Sequence, residues 1–226
     1  MVNDVQLSQA RSVRCDNLEP CQRATNPRFK IACDFRQQVM LKHPYLSEFH
    51  SRHEHLHAGL LEANPDVLAY TPQPFQLYVH HARYTPDVYV VMRNGKVRVI
   101  EIKPHGEMDE AKRLAIDAFL ALYNLSFEVM SNETIAEQEV QAQSWLEIVQ
   151  RLARAEAMDT QTEELAVLER LTTAPALTVG DLVDAGARDN SYLTEIALYR
   201  LAHRGLVQMD FASDPLSYDT ELSLCT

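Results

Sequence analysis

The sequence predicts an α/β protein, a mixed sheet flanked by helices, followed by a smaller helical region that ends in two strands. Three observations carry this. Two β-branched and aromatic runs, Tyr84–Met92 and Val97–Lys103, are joined by Arg93-Asn94-Gly95-Lys96, and Asn-Gly between such runs marks a hairpin. A run with helical spacing (Asp109–Tyr123) and another apolar run (Leu125–Met130) follow at once, the order of a sheet covered by helices. From Thr162 onward the pattern turns to helices and closes on short apolar runs after Gly205.

Residues 1–40 show no clean periodicity, and their structure is left open. A helix is predicted from about Ser51 to Ala63, with Phe49, His53, Leu56, Leu60 and Ala63 forming one buried stripe at intervals of three and four. Asn64-Pro65 stops it, because the residue before proline disfavours helical geometry. Phe75–Val79 alternates as a strand, and the hairpin comes next. The helix over Asp109–Tyr123 should bury Ala111, Leu114, Ala115, Ala118 and Leu122, and Leu125–Met130 returns to the sheet. Ala136–Ala157 reads as a largely polar helical connector. Beyond it come a helix, a turn capped by Thr178, a helix, the longer helix Ser191–His203 and a pair of strands, which is the order of a winged helix. The predicted organisation is thus an N-terminal segment (1–40), an α/β domain with its connector (41–157) and a winged-helix domain (158–226).

A length of 226 residues suits one compact domain or two small ones. No apolar run approaches the ~18 residues of a membrane span, and the N-terminus lacks a signal-peptide core. A cytoplasmic protein is expected. The scattered cysteines Cys15, Cys21, Cys33 and Cys225 form no CxxC pair and read as reduced thiols. The formal charge of −11 is unevenly spread: +2 over residues 1–50, −1 over 51–112, −5 over 113–159 and −7 over 160–226. The first half can face phosphates while the acidic half faces something else.

The chemistry concentrates in Tyr84-Thr-Pro-Asp87 and Glu101-Ile-Lys103, a PD…ExK arrangement with thirteen residues between Asp87 and Glu101. Strand alternation puts Glu101 and Lys103 on one face and Ile102 on the other. Two carboxylates on neighbouring strands can share Mg²⁺, with the Ile102 carbonyl as a further hard ligand. The ion can polarise a scissile phosphate and acidify a water, while Lys103 orients that water and steadies negative charge. Register decides whether this works. A strict two-residue Asn-Gly turn pairs Asp87 with Ile102 and sends its side chain to the wrong face. A three-residue connection, or a bulge near Pro86-Asp87, sets Asp87 opposite Glu101. The competing reading is a turn-closing Asp87 and an exposed Glu101–Lys103 pair.

Glu54 has three readings. Ser51-x-x-Glu54 is a capping box. His53-Glu54-His55-Leu56-His57 contains HExxH, the zinc peptidase pattern, although no convincing third ligand follows. Glu54 can also be a further carboxylate beside the hairpin.

Ser51-x-x-Glu54, Asn64-Pro-Asp-Val67 with Tyr70, Gln73-Pro-Phe75, Tyr84-Thr-Pro-Asp87 and Val99-Ile-Glu-Ile-Lys103 occur in that order. Together they resemble the N-terminal catalytic domain of TnsA, the endonuclease subunit of heteromeric bacterial transposases. The resemblance covers Ser51 to about Ser131. It implies a restriction-endonuclease-like fold in which Glu54, Asp87, Glu101 and Lys103 hold metal and cut DNA, Glu101 standing where some relatives carry glutamine. It also implies Mg²⁺, for which Mn²⁺ can substitute, and nicking of double-stranded DNA on the 5′ side of transposon ends. The implied partners are a DDE-type transposase and an ATPase regulator, reached through the acidic C-terminal region. A stand-alone nuclease of defence or repair is the alternative on the same fold.

Overall fold

The computed structural model describes residues 4–174, 176–211 and 214–225. The chain begins with α1 (Asp4–Ala10), β1 (Val13–Cys15), α2 (Pro27–Ala32), β2 (Arg36–Val39), β3 (Leu46–Phe49) and α3 (Arg52–Ala63). Then come β4 (Val67–Pro72), β5 (Leu77–Val79), β6 (Ala82–Tyr84), β7 (Val88–Met92), β8 (Val97–Lys103), α4 (Glu110–Ala121) and β9 (Leu125–Ser131). The remainder comprises α5 (Asn132–Ala136), α6 (Glu139–Arg154), α7 (Gln161–Thr173), β10 (Leu177–Thr178), α8 (Val179–Leu182), α9 (Arg188–His203), β11 (Val207–Met209) and β12 (Glu221–Leu224).

These elements form two compact units. The first gathers the chain up to Gln38, Lys42–His57 and Asp66–Glu137; the second gathers Val39–Leu41, Ala58–Pro65 and the chain from Gln138. At the centre of the first lies a four-stranded sheet in the order β4-β7-β8-β9. The first three strands are antiparallel neighbours, and β9 runs parallel to β8. A parallel pair needs a crossover, and α4 supplies it. The sheet is mixed and helix-covered, as the sequence predicts.

Where the structure departs from the sequence reading, the reasons are local. The strand expected over Tyr84–Met92 is broken at Thr85-Pro86-Asp87, since Pro86 has no N–H to offer a ladder. Tyr84 therefore belongs to β6, which joins β5 and β1 in a separate three-stranded sheet. The N-terminal segment, whose structure the sequence leaves open, includes β1, which pairs with β5 from Val13↔Val79 to Cys15↔Leu77. Both predicted helix stripes hold in part: Phe49, Leu56, Ala115 and Ala118 are buried as expected, while other positions are not. In α4 the buried side chains are Ala115, Ile116, Ala118, Phe119 and Leu120, while Leu122 is exposed. Around α3, Leu56, His57, Ala58, Leu61 and Glu62 are buried, and His53 is only half so.

The largest correction concerns α6. It is no polar connector: Trp145, Leu146, Ile148, Val149 and Leu152 are buried, and the helix forms the core of the second unit with Val167, Leu171, Ile196, Leu198 and Tyr199. Gly59 allows α3 to approach it, for a Cβ there would lie 2.5 Å from the Ala142 carbonyl oxygen. The rest of this unit follows the predicted order. Thr178 caps α8 in a box with Asp181, and β10, β12 and β11 form a small antiparallel sheet. Among the described residues no helix is long and apolar enough to cross a membrane, and the four cysteines are free.

Candidate active site

The site is built by the turn of the β7–β8 hairpin. Gly95 takes φ +80° and Met92 N donates to the Lys96 carbonyl at 2.9 Å, so Arg93-Asn94-Gly95 forms a three-residue connection. A left-handed residue at this place suits glycine because no Cβ clashes. The consequence is carried down the hairpin: Val91 faces Val97, Val90 faces Arg98 and Val88 faces Ile100. The paired register ends there; Asp87 N donates to the Ile100 carbonyl at 3.2 Å, and its carboxylate accepts the Ile102 N–H, so Asp87 reaches β8 on both sides of Glu101. On the other side Pro72 faces Val88, and Gln73 N donates to the Asp87 carbonyl at 2.9 Å. Gln73 is thus bonded to the residue that reaches across to β8.

Glu101 is 2% exposed, and both its oxygens are engaged. The Lys103 ammonium sits 2.6 Å from Oε1 and the Tyr84 hydroxyl donates to Oε2 at 2.6 Å. The pair is therefore not the exposed one of the competing reading, although the Lys103 side chain keeps 41% of its exposure. Ile102 points away and is buried in the opposite face. Asp87 Oδ2 accepts the Ile102 N–H at 2.7 Å, which pins the carboxylate to the strand of its partner.

Glu54 satisfies two of its readings at once. Its N–H donates to Ser51 Oγ at 3.2 Å, while its carboxylate accepts from Ser51 Oγ at 3.0 Å and from His50 N at 3.1 Å. Oε2 also accepts from Gln73 Nε2 at 2.6 Å, which ties the helix start to the sheet. Of the HExxH histidines, His53 is half-buried and His57 is buried with Arg98 nearby, which pushes its pKa to about 4.

The carboxylates sense one another. Burial, then the charges of Glu101 and Glu54, raise the Asp87 carboxyl well above its ordinary range. Burial also raises Glu54, against the hydrogen bonds from His50 and Ser51 and together with the charge of Glu101. Burial works against the Lys103 ammonium, yet its bond to Glu101 and the surrounding acids raise it overall. Three mutually repelling, partly buried carboxylates are a hard-oxygen donor set, the chemistry that suits Mg²⁺ rather than a softer metal. Among the described residues, however, no three His, Cys, Asp or Glu side chains are already arranged to hold an ion. Glu54 and Glu101 face their own hydrogen-bond partners instead.

Sequence reasoning missed Gln73 and Tyr84 as parts of the site, although both stand in the motifs it singled out. Gln73 has φ +40°, strained for a non-glycine residue and unexpected before a proline, so no local propensity points to it.

A phosphodiester-cutting class is what a PD…ExK row on a mixed sheet suggests, and comparison with known families bears this out. Residues 64–157 match the family described as TnsA-like endonuclease N terminal, so this stretch of the chain is similar to a nuclease domain. Gln73, Asp87, Glu101 and Lys103 lie within the matched stretch and Glu54 lies before it. No curated protein matches the chain.

Proposed function

We propose that the protein is a Mg²⁺-dependent DNA endonuclease that nicks the 5′ side of transposon ends as a TnsA-like transposase subunit. The observation that supports this is Asp87 bonded to the β8 backbone on both sides of Glu101, with Lys103 on Glu101 and Glu54 near enough to perturb Asp87. Asp87, Glu101, Glu54 and the Ile102 carbonyl would hold the ion, with Mn²⁺ able to replace Mg²⁺. When bound, it supplies charge neutralisation at the phosphate and a water of lowered pKa. Lys103, held protonated by Glu101, serves as a cation beside developing negative charge rather than as a base. Gln73 and the Ser51 cap hold Glu54 in place, and Tyr84 holds Glu101.

The test is nicking of a supercoiled plasmid carrying a transposon end, alone and with a DDE-type transposase. Nicking should require Mg²⁺ or Mn²⁺ and vanish in Asp87→Ala. Cleavage that persists in EDTA or in that variant would sink the proposal.

The second unit we read as a winged helix that docks protein. Arg188, Arg200 and Arg204 are already engaged: Arg200 donates to the carbonyls of Met158 at 2.7 Å and Ala155 at 2.9 Å, and to Thr160 Oγ1 at 2.6 Å. Arg204 pairs with Glu164, and Arg188 with Glu195. Gripping phosphate would require breaking these bonds, whereas the segment's charge suits a basic partner such as a transposase or ATPase surface. Arg200→Ala and Arg204→Ala should therefore leave duplex affinity within twofold, while Arg200→Ala lowers the melting temperature by several degrees. A tenfold loss of DNA affinity at unchanged stability would contradict the docking role.

A further inference from the structure

A cleft of about 720 Å³ opens beside Asp87, with Arg23, Thr25, His50, Gln73 and Arg83 among the residues around it. Its volume falls in the ~300–1,000 Å³ range that houses single small ligands, so it admits a nucleotide or two of one strand rather than a duplex. Asp87 is the only acidic group among its described lining residues, and two arginines stand against it. Arg23 and Arg83 are exposed, and neither makes an ion pair among the described residues. Several other cations of the same unit do have carboxylate partners: Lys30 on Glu48, Arg98 on Glu128 and Arg113 on Glu110.

The wall that carries Arg23 is built, not trailing. Just before it, Cys21 N donates to the Pro74 carbonyl at 2.8 Å. The Gln22 side-chain amide donates to Gln73 Oε1 and to the Glu48 carbonyl, both at 2.6 Å. Just after it, Thr25 N donates to Glu48 Oε2 at 2.7 Å and Thr25 Oγ1 meets His50 Nε2 at 2.8 Å. Arg23 is thus held between two anchors on the site's own scaffold. Arg83 is fixed from the opposite side by β6, where it pairs with Tyr78. Two cations without an ion pair among the described residues line the same cleft as Asp87 and form a seat for anions, while Asp16 and Glu19 line the adjoining cleft.

We propose that this cleft binds the cleaved DNA strand next to the scissile phosphate, Arg23 and Arg83 each gripping one phosphodiester. This gives the N-terminal segment a role as one wall of the substrate site. The inference rests on the nuclease reading of Asp87, and its test separates the two. Full-length protein, wild type and Arg23→Ala/Arg83→Ala, is titrated in EDTA against a labelled 12-nucleotide single strand over a series of salt concentrations. The double variant should bind ~10- to 100-fold more weakly, with the log–log salt slope shallower by about 1.4, since each lost single-strand phosphate contact removes ~0.7. Arg23→Lys/Arg83→Lys should regain most of the affinity, which excludes misfolding as the cause. In Mg²⁺ the loss of plasmid nicking should fall on KM. Unchanged affinity and slope in the double variant, with a wild type that nicks, would overturn the cleft proposal and leave the nuclease standing. Arginine-dependent strand binding in a protein that never nicks would uphold the cleft and remove the nuclease.

Discussion

Asp87→Asn is expected to abolish cleavage and, in metal-free buffer, to make the protein more stable. Asparagine keeps the shape of the side chain and still offers an oxygen to the Ile102 N–H, which Asp87 accepts at 2.7 Å. What it removes is a negative charge that is buried and faced by Glu101 and Glu54. The folded carboxyl is raised above its unfolded value of ~3.9, so folding favours the protonated form. The resulting cost is absent below the unfolded pKa, grows as pH rises through the folded one, and is complete above it. The melting temperature of Asp87→Asn should therefore exceed that of wild type most at neutral pH and above, and the gap should close towards pH 4. Each kcal/mol corresponds to ~2–4 °C at this chain length. Mg²⁺ should narrow the gap by stabilising the wild type alone. Cleavage should fall by at least ~10²-fold, the loss typical when one charge-stabilising group is removed. A variant less stable than wild type at pH 8 in EDTA would mean that Asp87 is a structural anchor instead.

How far this site was legible in the sequence depended on the kind of signal. Asn94-Gly95 announces a hairpin, but whether the turn holds two residues or three is decided by Gly95 taking the left-handed conformation, one residue's dihedral. Composition does not encode that choice, and the whole site hangs on it. The helix periods over α3 and α4 were readable, whereas their phases were readable only in part: Leu56, Ala115 and Ala118 are buried as expected, but Leu122 is exposed. A period follows from one element, while a phase depends on the surfaces around it: Ile116 and Phe119 are buried among Val13, Leu77 and Val99, residues distant in sequence. The same blindness hid the anchoring of residues 1–40, whose short strand β1 is defined by its partner β5. It also turned α6 into a connector, because its buried Trp145, Ile148 and Val149 are interspersed with glutamines and glutamates.

Gln73 illustrates what no pattern carries. Its amide bonds Glu54, its carbonyl oxygen accepts from Gln22, and its backbone bonds Asp87, so three segments distant in sequence meet at one strained residue. Strain of this kind persists only where the surroundings over-determine it, and it clusters at functional sites. The motif Gln73-Pro-Phe75 flagged the place; only the fold supplies the reason.

Lys103→Ala should also abolish cleavage, with the opposite effect on stability. Its ammonium lies 2.6 Å from Glu101 Oε1, and Glu101 is 2% exposed. Removing the cation leaves a buried carboxylate with the Tyr84 hydroxyl and no counter-charge. Breaking a fully buried pair costs ~3–5 kcal/mol, but the Lys103 side chain is 41% exposed, so solvent screens the pair and about 1–2 kcal/mol is the appropriate scale. The Lys103 pKa is raised, so its contribution is fully present below the unfolded value of ~10.4 and is lost only as pH rises through the folded one. The melting temperature should therefore drop by a few degrees, nearly evenly from pH 6 to 9, unlike the pH-dependent gap of Asp87→Asn. Adding Glu101→Gln should restore stability, since an amide needs no counter-charge, but should not restore cleavage. Mg²⁺ should stabilise Lys103→Ala more than it stabilises wild type, because the ion takes over the charge that lysine supplied, while nicking stays absent for want of the orienting cation. Thermal melts of the wild type, both single variants and the double variant, with and without Mg²⁺, decide the point. If Lys103→Ala melts with the wild type and still nicks, Lys103 is only a surface partner of Glu101 and the assigned role is wrong.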